Sequence, residues 1–112
     1  MKNPLFLVPL LCALLWQSSA RAATQSELDA ISTMGELNGI ALQCRYIEQM
    51  RRIKLSLVMH LPKKRELGDW FEHTTNNSFM DFMRKDAQCP TLQQFDEQLD
   101  AAIKEIAVTF KQ

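Results

Sequence analysis

The sequence contains little of what catalytic motifs are built from. Only two histidines, three cysteines and three glycines occur in its 112 residues. It has no G-x-S-x-G motif, no H-E-x-x-H motif and no glycine-rich phosphate-binding loop. A predicted turn separates His60 from His73, so we do not expect the two imidazoles to meet. The sequence therefore predicts a protein that is not an enzyme and has no cofactor.

Long hydrophobic runs are also scarce, and the single one lies at the N-terminus. Lys2 is followed by an apolar stretch over residues 4–16 and then by an A-x-A pattern that ends at Ala22. This order is typical of a secretory signal peptide. We predict that residues 1–22 are cleaved after Ala22 and that residues 23–112 form a single domain. The run is shorter than the roughly 20 residues of a membrane-spanning helix, so we expect a periplasmic or secreted protein without a transmembrane segment.

Cysteine is rare, and the predicted cleavage makes its number even. Cys12 leaves with the signal peptide, and Cys44 and Cys89 remain. Two cysteines in an oxidising compartment predict one disulfide bond. The functional alternatives are a redox pair or metal thiolates, but the sequence has no C-x-x-C and neither cysteine has a histidine within a few positions. A bond between Cys44 and Cys89 closes a loop of about 45 residues. In the chain-entropy model such a bond stabilises the folded protein by about 4 kcal/mol.

Strand signals are poor, because β-branched residues never alternate with polar ones, and apolar residues recur instead at spacings of three and four. The first stripe predicts a helix that begins at Ser26 and ends near Leu61, before Pro62. Gly35 and Gly39 predict either a break or a close helix contact within it. The apolar positions of this stripe are Leu28, Ile31, Leu37, Ile40, Cys44, Ile47, Met50, Ile53 and Leu57.

The rest of the chain predicts two further helical regions. One begins around Lys63 and contains a run of poor helix formers from Thr74 to Ser78, so it is either one helix or two short ones. The last helix begins with a capping box formed by Thr91 and Gln94. We therefore predict an all-α fold, a small antiparallel bundle of three to four helices stapled by a Cys44–Cys89 disulfide.

The charge of the chain is nearly balanced overall but uneven along its length. Without Lys2 and Arg21, 11 basic and 13 acidic residues give a net charge of −2, and we expect no nucleic-acid partner. Residues 44–65, however, contain seven basic residues and a single acid, Glu48. The seven basic residues are Arg45, Arg51, Arg52, Lys54, Lys63, Lys64 and Arg65.

This basic segment and an adjacent aromatic pair, Trp70-Phe71, are the predicted partner-binding surface. Cations beside a partly exposed aromatic ring are common at protein interfaces. The alternatives are that the basic residues form a solvated face or pair with acids of the same chain, and that both rings pack into the core. The predicted binding residues are Arg45, Arg51, Arg52, Lys63, Lys64, Arg65, Trp70 and Phe71.

The leading functional prediction is a small exported protein, bacterial and periplasmic in type, that binds another envelope or secreted protein. A homodimer is also open, since small bundles often gain core by pairing. One alternative is an acid-stress chaperone whose carboxylates act as switches. Another is soft-metal binding, because thioethers and imidazoles suit Cu(I), although the leading prediction has no metal site. The thioethers are Met34, Met50, Met59, Met80 and Met83.

Overall fold

A computed structural model describes residues 22–111 of the chain. Except for Ala22, the predicted signal peptide, including Cys12, lies outside the described residues. The described part contains four α-helices and no strand, which confirms the predicted all-α class. The helices are α1 (Gln25–Cys44), α2 (Ile47–His60), α3 (Arg65–Arg84) and α4 (Leu92–Thr109).

Helix α1 lies at the centre of the bundle and contacts the other three helices. Successive helices run in opposite directions, so α1 and α3 are parallel. Trp70 of α3 meets Leu28 near the start of α1, and Phe79 meets Gln43 near its end. Helices α2 and α4 pack on α1 and on each other, whereas α3, within the described residues, packs on α1 alone. The bundle is therefore open between α2 and α3.

The core lies where α1, α2 and α4 meet, and it is built from the apolar stripes of the sequence. Its largest side chains are fully buried, and Leu67 extends the core into the first turn of α3. Full burial of each such side chain is worth about 1.5–3 kcal/mol. The fully buried large side chains are Ile31, Met34, Ile53, Phe95, Leu99 and Ile106.

Capping boxes begin the first and last helices. Thr91 Oγ1 accepts a bond of 3.1 Å from the Gln94 amide, and Gln94 Oε1 accepts one of 3.3 Å in return, as predicted. The N-cap of α1 is Thr24 and not Ser26. Glu27 lies three residues after Thr24, so both halves of the box can form there, at 3.1 and 2.8 Å.

The first helical region is broken, but at Arg45 and not in the glycine segment. Arg45 has a φ of 59° and ends α1 in the left-handed conformation, with its amide donating to the Ala41 carbonyl. The chain then reverses direction through Tyr46 into α2, which ends at His60 with Leu61 as its C-cap, as predicted. The break separates residues 25–44 from 47–60, so α2 is a separate helix that packs on α1 and α4.

The two glycines of α1 mark the predicted close helix contact. A Cβ atom at Gly39 would lie 2.7 Å from the backbone nitrogen of Phe79, and one at Gly35 would lie 1.9 Å from Thr74 Oγ1. Only a missing side chain allows α3 to come this near. The alternative of a break at these glycines is wrong, because α1 is continuous through both.

Helix α3 is also continuous, so the alternative of two short helices interrupted between Thr74 and Ser78 is wrong. The hydroxyl groups of this segment donate hydrogen bonds to carbonyl oxygens of α3 itself or of α1. Thr74 Oγ1 donates to the Trp70 carbonyl at 3.0 Å, and Ser78 Oγ donates to the Glu36 carbonyl of α1 at 2.7 Å. The carbonyl of α1 thus accepts the hydrogen bond of Ser78, a residue type that would favour a turn in an isolated chain.

The predicted disulfide joins Cys44, the last residue of α1, to Cys89, three residues before α4. Its Cα atoms are 5.8 Å apart. Next to it, the Tyr46 hydroxyl donates to the Pro90 carbonyl at 2.5 Å, and the Tyr46 ring meets Phe95 edge-on at 5.5 Å. The bond and the ring together hold the start of α4 against the α1–α2 junction.

Candidate functional site

The predicted basic residues do not form one patch. Arg45 lies at the α1–α2 junction, whereas Lys63, Lys64 and Arg65 lie at the opposite end of α2, where the chain turns into α3. The 14 residues of α2 separate these positions, and at 1.5 Å per residue that is about 20 Å. Arg45 and residues 63–65 therefore lie at opposite ends of α2. We call the exposed residues 63–65 the basic corner.

Two of the predicted arginines are paired within the chain. Arg52 reaches α4, where its guanidinium lies 2.5 Å from Asp100 and 3.5 Å from Asp96. Arg51 lies 2.8 Å from Glu48, one turn earlier on the same helix, and both side chains are well exposed. The alternative of intramolecular pairing therefore applies to both arginines, and the pairs of Arg52 link α2 to α4. Arg51 remains on the outer surface.

Trp70 and Phe71 are half-buried and pack against the core. The Trp70 indole nitrogen donates to the Leu28 carbonyl at 3.1 Å and to Ser32 Oγ at 2.8 Å. Both acceptors belong to α1, so this side chain fixes the start of α3 on α1. The structure thus supports the alternative that both rings pack against the core. Only a minor part of each side chain is exposed for contact with a partner.

The most exposed apolar surface lies on the outer face of α2, and sequence analysis missed it. Ile47, Leu55, Val58 and Met59 are 57, 57, 76 and 68% exposed. Residues four apart share one face of a helix, and Ile47, Arg51, Leu55 and Met59 follow that spacing. Lys54 and Val58 form the neighbouring row. We call this surface the α2 ridge, defined by Ile47, Arg51, Lys54, Leu55, Val58 and Met59.

The signal for this ridge was present in the sequence. Helix α2 has more apolar residues than one buried stripe can hold, and Leu55, Val58 and Met59 fall outside the stripe of the first helix. Ile47 was predicted to belong to that stripe and is 57% exposed instead. Met50, Ile53 and Leu57 do face the core, as predicted.

The charge around the α2 ridge is positive. Arg51 and Lys54 lie within it, and the basic corner follows its C-terminal end. Glu48 is the only acid between Cys44 and Arg65, and it is paired with Arg51. A convex surface of large apolar side chains with cations among them is suited to contact an apolar surface that has negative charge.

The soft-metal alternative finds little support in the described residues. Met59 and His60 lie on α2, whereas Met80 and Met83 lie on α3, and these two described helices do not pack together. Met34 is fully buried in the core. Among residues 22–111, no three His, Cys, Asp or Glu side chains are grouped so that they would hold a metal ion.

No helix within residues 22–111 has the length and apolar character needed to cross a membrane. Comparisons with protein-family models, curated proteins and solved structures find no match to this chain.

Proposed function

We propose that this protein is exported, is not an enzyme, and acts by binding another envelope or secreted protein through the α2 ridge. The observation that carries the proposal is the exposure of four large apolar side chains on one face of a short helix. Several exposed apolar side chains on one face of a small domain are a common mark of an interaction site. The disulfide supports export, because such bonds persist in oxidising compartments.

The size of the ridge fits a binding surface. Fully burying one large apolar side chain contributes about 1.5–3 kcal/mol. Scaled by their exposed fractions, the four ridge side chains would contribute roughly 4–8 kcal/mol on contact with a partner. A micromolar complex needs about 8 kcal/mol net, and association has costs of its own, so neighbouring contacts must add to the ridge.

Capture from the native envelope fraction tests the proposal. The chain without its predicted signal peptide is immobilised at low salt, in its wild-type form and as a triple variant with Leu55→Ser, Val58→Ser and Met59→Ser. The wild type should retain one protein in stoichiometric amount, and the triple variant should lose it. Because these side chains are exposed, helicity measured by circular dichroism should not change.

A matched control comes from α4, where Leu92 and Val108 are 51 and 65% exposed. The double variant Leu92→Ser, Val108→Ser removes apolar surface elsewhere and should keep the captured protein. Equal capture by the wild type and the ridge variant would overturn the proposal. A broad set of unfolded proteins would support the chaperone alternative.

A further inference from the structure

Charged residues lie inside the apolar ridge, and their position restricts what can cover it. Arg51 falls between Ile47 and Leu55 in the row of residues four apart, and Lys54 lies beside Val58. Any surface that covers the apolar side chains also covers these cations. Arg51 already has a counter-charge in Glu48, whereas Lys54 has no ion pair among residues 22–111. A covered cation without a counter-charge is strongly unfavourable, so the partner must supply an acidic group opposite Lys54.

We propose that α2 is the inserted element of a helix-in-groove complex, and that the partner protein has an apolar groove edged with carboxylates. This inference rests on the proposed function and adds the chemistry of the partner. The ridge is convex and its apolar side chains recur as Ile47, Leu55 and Val58, the spacing of anchors along one helix face. The carboxylates would pair with Lys54 and the basic corner, and would meet Arg51 beside its own partner Glu48.

The charge pattern argues against two other occupants. In a two-fold dimer the ridge would face an identical ridge, which has two cations and the single acid Glu48 beside them, so like charges would meet across the contact and weaken binding. On an anionic lipid surface, the acid Glu48, one turn from Arg51, would be repelled by the headgroups. A protein groove can place a carboxylate opposite each cation.

Photo-crosslinking in the native envelope tests the inference. A benzophenone amino acid replaces Val58 in the full chain, and in a control chain it replaces Val108, which is similarly exposed on α4. We expect a single protein adduct from position 58 and none from position 108. The crosslinked peptide should contain apolar residues together with Asp or Glu.

Charge reversal separates the two proposals. The variant Arg51→Glu, Lys54→Glu should reduce the position-58 adduct by about tenfold or more, because like charges would then meet in the complex. Lys85→Glu, Lys104→Glu, at two exposed positions outside the ridge, changes the net charge equally and should leave the adduct intact. About 0.5 M salt should also weaken the adduct, since the charge contacts lie partly in solvent.

The other outcomes overturn either the acidic groove alone or both proposals. A protein adduct that survives charge reversal and high salt, or whose peptide has no acids, keeps the proposed function and overturns the acidic groove. An adduct with lipid, an adduct with a second copy of this chain, or no adduct at position 58 overturns both proposals.

Discussion

The α1–α3 contact predicts opposite effects for alanine at different glycines. In a helix interior, Gly→Ala is stabilising by about 0.5–1 kcal/mol where the new methyl group has room. Gly68 of α3 provides that case, since a Cβ atom there would have no neighbour within 4 Å. Gly68→Ala should therefore raise the free energy of unfolding by about 0.5–1 kcal/mol.

At Gly39 the same change should be destabilising. The new Cβ would lie 2.6 Å from Ser78 Cβ and 2.7 Å from Phe79 N, and a backbone atom cannot move away without shifting α3. Overpacking costs about 1–3 kcal/mol, and the bond from Ser78 to the Glu36 carbonyl would be lost at about 1 kcal/mol. After the propensity gain, Gly39→Ala should lower the free energy of unfolding by about 2 kcal/mol.

Urea unfolding followed by circular dichroism, with the disulfide intact, measures both effects. The two alanine variants should differ by about 3 kcal/mol, which corresponds to a difference in Tm of about 12–24 °C for a domain of this size. Gly35→Ala should resemble Gly39→Ala, because its Cβ would meet Thr74. If Gly39→Ala were as stable as Gly68→Ala, the close packing of α1 on α3 would be refuted.

Three further stability predictions follow from single contacts. Replacing Cys44 and Cys89 by serine should lower the free energy of unfolding by about 3–4 kcal/mol, seen as a lower urea midpoint, and an unchanged midpoint would contradict the predicted role of the disulfide. Trp70→Phe removes the indole donor and should cost about 1–2 kcal/mol in the same assay, whereas wild-type stability would contradict its two bonds to α1. Arg52→Ala should cost less than about 1 kcal/mol, and the difference should shrink in high salt, because its bridge to Asp100 is solvent-exposed. A larger, salt-independent loss would show that Arg52 does more than pair with α4.

Local patterns were sufficient to predict several parts of this fold. The Thr91–Gln94 capping box depends only on residues within one turn, and it forms as predicted. The period of three and four identified the core-facing sides of α1 and α4, and the predicted signal peptide identified the cysteine pair. Each of these predictions needs only a few neighbouring residues or, for the disulfide, the number of cysteines that remain after the predicted cleavage.

Other parts depend on contacts that no local pattern contains. Arg45 ends α1 in a conformation more usual for glycine, so the break left no clear mark in the sequence. The segment from Thr74 to Ser78 stays helical because α1 accepts one of its hydrogen bonds. The exposure of Leu55 and Val58 depends on how many helices pack on α2, and only the assembled bundle determines that.

The central claim is that the α2 ridge is covered by a partner in the native envelope, and oxidative footprinting of the wild-type chain tests it most directly. Met59, Met80 and Met83 are 68, 48 and 53% exposed, so all three should oxidise readily in the purified protein. In the envelope fraction, Met59 should be protected while the two methionines of α3 oxidise as before. Equal oxidation of Met59 in both preparations would contradict the account.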